Sequence, residues 1–204
     1  MKERLEQVSG RHVPRETIDK LEAFVGLLTD ENRRQNLVSA STMASIWERH
    51  ILDSAQLVRF ASKAEASWVD IGSGAGLPGI VIACMVAGPV TLVEPRRLRA
   101  DFLHKAVEAL ELGANIVCGR AERLGEKFDT ITARAVAPLA RIFELSQHLS
   151  TGNSIWILPK GRNAQSELAE AQRTWQGVFH VEQSLTDPDS RIVIARHVKV
   201  RRKL

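Results

Sequence analysis

From residue 68 onward, short apolar runs return at intervals with helix-like stretches between them, and few folds accept that rhythm. The runs are WVDI (68–71), PVTLVE (89–94), NIVC (115–118), FDTITA (128–133) and SIWIL (154–158). Between them, apolar spacing predicts helices over about 78–86, 97–111, 138–149 and 163–175. Strands apolar on consecutive residues are covered on both faces, and their alternation with helices makes them parallel. The end of the chain breaks this rhythm. GVFHVEQS (177–184) and RIVIARHV (191–198) are joined by a short polar connection holding TDPD. That connection is too short for a parallel crossover, so the two runs pair antiparallel. Ahead of the first strand, Ile18, Leu21, Val25 and Leu28 recur at helical spacing behind Pro14, which takes a first-turn position. A second helix is expected over about 42–60, with Met43, Ile46, Trp47, Ile51 and Leu52 on one face. The expected fold is α/β. A helical segment (1–64) packs on a parallel sheet of five strands closed by an antiparallel C-terminal pair (65–204), in one structural domain.

Bulk properties narrow the class without naming it. A chain of 204 residues that is 44% hydrophobic can build one core of ordinary size. Its longest largely apolar run, 79–93, is interrupted by Gly88 and Pro89 and falls short of the roughly 20 residues of a membrane span. The first twenty residues hold no apolar leader core. Cys84 and Cys118 lie in apolar surroundings without metal-ligand spacing and read as buried thiols of a reducing cytoplasm. The histidines are too scattered for a metal site. A net charge of +4 says little alone, although Arg33 with Arg34, Arg96 with Arg97 and the tail 199–204 concentrate it. A soluble cytoplasmic monomer is expected, with each basic cluster read as solvated surface unless something else points to nucleic acid.

The stretch DIGSGAGLPG, directly after the first strand, narrows the ligand. Gly72, Gly74 and Gly76 let the chain turn sharply and let a ligand approach its backbone, and a helix beginning near Pro78 aims its free N–H groups at the turn. A phosphate-cradling loop needs Lys-Ser/Thr after its last glycine, but Ile80 and Val81 follow Gly79. The dinucleotide fingerprint wants a glycine where Leu77 stands. The remaining class is S-adenosylmethionine, whose loop follows an acidic residue as D-x-G-x-G-x-G, and 70–76 fit at every position. Glu94, closing the second strand, is placed to accept both ribose hydroxyls. Ala121 and Glu122, after the third strand, stand where an adenine edge is read. The layout is that of Rossmann-like class I methyltransferases.

The acceptor atom is narrowed by what is missing. The end of the fourth strand reads TARAVAPL (132–139), without the Asn/Asp-Pro-Pro-aromatic motif of amine methylation. Neither cysteine follows a proline, as a cytosine C5 nucleophile typically would. A ring nitrogen such as guanine N7 already carries a free lone pair, so positioning can suffice, worth about 7–11 kcal/mol. Arg134, the one charged residue in that stretch, suits an anionic or acceptor partner.

Here the chain resembles the bacterial small-subunit (16S) ribosomal RNA guanine-N7 methyltransferases, the methyltransferase G family formerly called glucose-inhibited division protein B. The resemblance rests on Asn36-Leu37, RHILDS (49–54), DIGSGAGLPG (70–79), Arg99 with Phe102-Leu103, Ala121-Glu122, Arg134-Ala135 and Pro159-Lys160-Gly161. It implies S-adenosylmethionine at Gly72, Leu77, Ala121, Glu122 and Arg134. It further implies the small ribosomal subunit as partner and N7 of one 16S guanine as acceptor. Lys160, Arg191 and Arg49 are the expected RNA contacts. His50 is expected to be buried and hydrogen-bonded rather than to meet a ligand. The other readings the residues leave open are a small-molecule methyltransferase and a catalytically silent ribosome-assembly module.

Overall fold

The computed structural model describes residues 1–61 and 63–201, so 202–204 of the basic tail lie outside the described residues. The strands are β1 (Trp68–Ile71), β2 (Val90–Glu94), β3 (Ala114–Cys118), β4 (Phe128–Thr132), β5 (Ser150–Lys160), β6 (Trp175–Gln183) and β7 (Arg191–Val200). They form one sheet in the order β3-β2-β1-β4-β5-β7-β6. β1 to β5 pair in parallel, and β7 runs antiparallel to both of its neighbours. The last strand therefore enters the sheet between two strands made earlier.

Successive side chains on a strand point to opposite faces, and here both faces meet helices. Ile155, Ile157, Ile192 and Ile194 join one apolar cluster, while Trp156, Leu158, Val193 and Ala195 join the other. The first cluster is completed by α1 (Lys2–Ser9), α2 (Arg15–Gln35), α5 (Gly79–Met85) and α6 (Arg97–Ala109) through Leu5, Phe24, Ile80 and Leu103. The second is completed by α7 (Leu139–Ser146) and α8 (Ala164–Ala171) through Phe143 and Leu168. Trp68 and Trp156 are almost wholly buried, one in each layer. Truncating either to alanine would cost about 3–5 kcal/mol.

Several expectations need correction. The helix α1 was not anticipated, because its eight residues bury only Leu5, Val8 and Ser9, too few to make a periodic signal. Pro14 caps α2 from outside rather than occupying its first turn, which suits a residue without an N–H. The stretch 42–60 is not one helix. It holds the end of α3 (Ala40–Met43), a π-helical turn Trp47–Leu52, α4 (Asp53–Ala55) and a 3-10 turn Gln56–Phe60. The wider π turn brings consecutive residues closer in direction, so that His50, Ile51 and Leu52 are all buried. Cys84 is half-buried, with its thiol pushed up to about 12 by burial, but Cys118 is exposed because β3 is the sheet's edge strand. Arg33 and Arg34 sit in the last turn of α2, Arg33 in an exposed pair with Asp30 and Arg34 beside the largely buried Glu31, where cations suit the helix dipole. No helix among the described residues is long and apolar enough to cross a membrane.

Candidate active site

The turn after β1 is held from within. Gly72, Gly74 and Gly76 all take positive φ, at 69°, 53° and 83°. The N–H groups of Gly72 and Ser73 donate to the Val93 carbonyl at 2.8 and 3.1 Å. Gly74 N–H donates to Glu94 Oε2 at 2.9 Å, and Arg96 N–H donates to Glu94 Oε1 at 2.8 Å. Gly79 N–H, at the start of α5, donates to Asp70 Oδ2 at 3.0 Å. Both carboxylates expected at the cofactor thus shape the turn, on the sheet face that packs against α5 and α6. Burial pushes the Asp70 carboxyl up to about 7, against the opposing pull of the Gly79 hydrogen bond and the Arg134 charge. Its Oδ1 is buried without a partner.

The glycines have different neighbours. A β-carbon on Gly76 would lie 2.7 Å from Ile80 Cγ1 and 3.2 Å from Leu103 and Phe24, so this glycine serves interior packing. One on Gly72 would lie 2.7 Å from Val136 Cγ2, on the loop after β4. Leu77 is buried in the first apolar cluster.

Two cavities open at the carboxyl ends of the strands, on either side of the point where strand order reverses between β1 and β4, the usual ligand crevice of such sheets. The first, about 270 Å³, is walled by Gly72, Val93, Gly119, Ala121, Glu122 and Arg141 among others. Of the expected cofactor residues, Gly72, Ala121 and Glu122 reach it, whereas Asp70, Gly74, Gly76, Leu77 and Glu94 do not, and Arg134 lines the second cavity instead. The second, about 520 Å³, is walled by Asp53, Arg134, Val136, Lys160, Glu167 and Arg191 among others. Val136 borders both. Ala135 beside it holds φ at 56°, a costly conformation for a residue with a β-carbon.

The second cavity is basic and tightly braced. Lys160 and Arg191 are register partners across β5 and β7. Lys160 Nζ donates to the Ala137 carbonyl at 2.7 Å and pairs with Glu167 Oε2 at 2.9 Å. Arg191 Nη1 donates to the carbonyls of Pro188 and Ser190 at 2.7 and 2.9 Å. Arg49, the third expected RNA contact, is not a wall of this cavity; it is half-exposed and pairs with Asp187 at 2.7 Å.

Arg134 sits in a fork. Its Nη1 meets Asp53 Oδ2 at 3.3 Å and its Nη2 meets His50 Nδ1 at 3.1 Å. An arginine only donates, so Nδ1 of His50 must be the bare acceptor and Nε2 must carry the hydrogen. Burial first, then the charges of Arg134 and Arg49, lower the His50 pKa to about 4, so the ring stays neutral near pH 7. Asp53 Oδ1 accepts from Gln56 Nε2 at 2.9 Å and Thr186 Oγ1 at 3.0 Å, and Gln56 Oε1 accepts from Leu185 N–H at 2.9 Å. Asp53, Gln56 and Thr186 were missed as site residues. For Asp53 and Gln56 the signal was polar groups set among Ile51, Leu52 and Ala55 in RHILDSAQ; Thr186, in the connection between β6 and β7, carried none. No group of His, Cys, Asp and Glu suited to a metal occurs among the described residues, and none of the contacts above couples a nucleophile to a base. Such a site can hold and orient two reactants.

The strand order and the crevice beside the glycine turn define the class I methyltransferase fold. A SAM-dependent methyltransferase from Aquifex aeolicus superposes with a TM-score of 0.60 at 14% identity, covering 75% of this chain and 93% of that one. TYW2 of M. jannaschii, solved in complex with AdoMet, gives 0.56 at 12% identity over 74% of this chain and 76% of that one. Residues 17–192 match the family described as rRNA small subunit methyltransferase G. The ribosomal RNA small subunit methyltransferase G of Zymomonas mobilis is 47% identical over 195 residues, spanning 91% of this chain and 88% of the relative. That of Sphingopyxis alaskensis is 48% identical over 178 residues, spanning 86% and 76%. The chain belongs to the rRNA small subunit methyltransferase G family.

Proposed function

We propose that this enzyme transfers a methyl group from S-adenosylmethionine to N7 of a guanine in 16S RNA of the small ribosomal subunit. One observation carries the reading. A narrow cavity at the glycine turn and a wider basic cavity meet at a single side chain, Val136, so a donor in one and a base in the other would lie side by side. The residues of the first cavity fit the cofactor. Gly72 offers a surface without a β-carbon, Ala121 and Glu122 offer a backbone edge and a carboxylate, and Asp70 and Glu94 fix the turn that presents them. The bound cofactor supplies an electrophilic methyl on a sulfonium.

The protein's own work is then positioning and exclusion of water. N7 of guanine is unprotonated near neutral pH, so no residue has to remove a proton before attack. Asp53 and neutral His50 hold the Arg134 guanidinium at the wall of the acceptor cavity, where its donors suit an anionic or acceptor partner. Lys160 and Arg191 offer further positive charge to RNA phosphate or base oxygen. Binding should therefore weaken with salt, with a logarithmic slope of roughly 0.7–0.9 per phosphate neutralised.

The test uses labelled S-adenosylmethionine, the purified protein and small subunits from cells lacking this activity, followed by mapping of the modified base. Label at guanine N7 is expected. Label at an exocyclic amine or a ribose hydroxyl would overturn the assignment.

A further inference from the structure

The second cavity holds two carboxylates, and they are in different states. Asp53 is committed, with Oδ1 accepting from Gln56 and Thr186 and Oδ2 paired to Arg134. Glu167, in the first turn of α8, is paired through Oε2 with Lys160 at 2.9 Å, and its side chain is 31% exposed. Lys160 carries three donors; one goes to the Ala137 carbonyl, and Glu167 Oε2 is held beside the ammonium as an ion pair without a hydrogen bond.

With Glu167 Oε2 buried against Lys160, the pair presents the ammonium as donor followed by Glu167 Oε1 as an acceptor that two neighbouring N–H groups can share. The Watson–Crick edge of guanine presents the complement, O6 as acceptor followed by N1–H and the N2 amine as donors. Adenine offers a donor where the ammonium stands and an acceptor opposite the carboxylate, so it is rejected by both members. The placement also suits the chemistry. Lys160 is fastened to Ala137, the neighbour of Val136. Guanine O6 at Lys160 therefore turns the adjacent N7 toward the residue that borders both cavities.

We propose that the Lys160–Glu167 pair reads the Watson–Crick edge of the acceptor base and makes the enzyme specific for guanine. This rests on the guanine-N7 reading above and adds the residues that choose the base. A site built to bond a substrate N–H discriminates strongly against the analogue lacking it.

The experiment compares small subunits reconstituted with 16S RNA carrying guanine or inosine at the mapped acceptor position, since inosine lacks only the N2 amine. The natural protein should methylate inosine subunits about 10- to 100-fold less efficiently in kcat/KM. In Glu167→Ala, activity on guanine should fall and the guanine-to-inosine ratio should collapse to within about threefold of unity. Glu167→Gln, which keeps the shape and one acceptor, should give an intermediate ratio and serves if the alanine variant does not fold. A loss of equal size on both substrates would mean that the pair only braces the loop after β4, and would overturn the proposal. So would equal rates on both substrates with the natural protein. Either result leaves N7 methylation of guanine intact, whereas absence of N7 label on guanine subunits would remove the functional reading itself.

Discussion

The two cavities that meet at Val136 are built by opposite means. The cofactor side is made of backbone and short contacts: Gly74 reaches Glu94 twenty residues on, and Asp70 reaches Gly79 nine residues on. The acceptor side is made of long side chains from distant segments. Arg134 meets Asp53 81 residues away, and Gln56 bonds Leu185 129 residues away. A cofactor common to many enzymes can be held by a local turn, but a particular RNA requires a surface gathered from the whole chain. The contrast predicts that damage on one side should leave the other side's binding largely intact.

The severest test is Gly72→Val. Its φ of 69° disfavours any side chain, and a β-carbon would already approach Val136 to 2.7 Å. Calorimetry should find cofactor affinity lowered by about 100-fold or more, the scale of a few kcal/mol for strain and lost contact. Unchanged affinity in a folded variant would break the assignment of the first cavity. Gly76→Val should cost about 3 kcal/mol of stability in urea unfolding through overpacking against Ile80, Leu103 and Phe24, while the folded fraction still binds cofactor. Next in size is Arg134→Lys, which keeps the charge and loses the fork. Methyl transfer should slow about 10- to 50-fold while cofactor Kd moves less than about threefold. Equal changes in both would erase the distinction between the two sides.

The mildest test is the pH dependence that Asp70 contributes on the cofactor side. The folded-state pKa of Asp70 is raised from 3.8 to about 7, so the native state holds a proton that the unfolded chain has already released. The associated stability is fully present below about pH 4 and is lost as pH rises through about 7, with a slope on the order of 1 kcal/mol per pH unit. The lowered His50 pKa opposes this trend between about pH 4 and 6.5, so the Asp70 share is read as the urea-midpoint difference between the natural protein and Asp70→Asn, which should fall steadily from pH 5 to 7. A slope that survives in Asp70→Asn belongs to another group.

The same contrast explains what was legible in the sequence. The alternation of strands and helices, the glycine turn and the antiparallel final pair are local patterns, and each could be read from neighbours. The fork around Arg134 could not be, because nothing in RHILDS states that residue 53 will face residue 134. His50 is buried and hydrogen-bonded as expected, but the π turn at Trp47–Leu52 that carries it breaks the single helical period read over 42–60. The roles of Asp70 and Glu94 were half-read. Their acidity and positions suggested a ligand, and the structure adds a second role, Glu94 accepting from Gly74 and Arg96 N–H and Asp70 from Gly79 N–H through Oδ2 alone.

The position of β7 between β5 and β6 has a consequence for how the molecule is made. A chain emerging in order from its N-terminus can complete the glycine turn and its cavity once α7 has appeared. Until β7 follows, β6 has no strand beside it and the far side of β5 stays open. The acceptor cavity also lacks Arg191, and Asp53 lacks Thr186. Every wall of the first cavity has thus been synthesised by residue 145, whereas the second is not complete before residue 191.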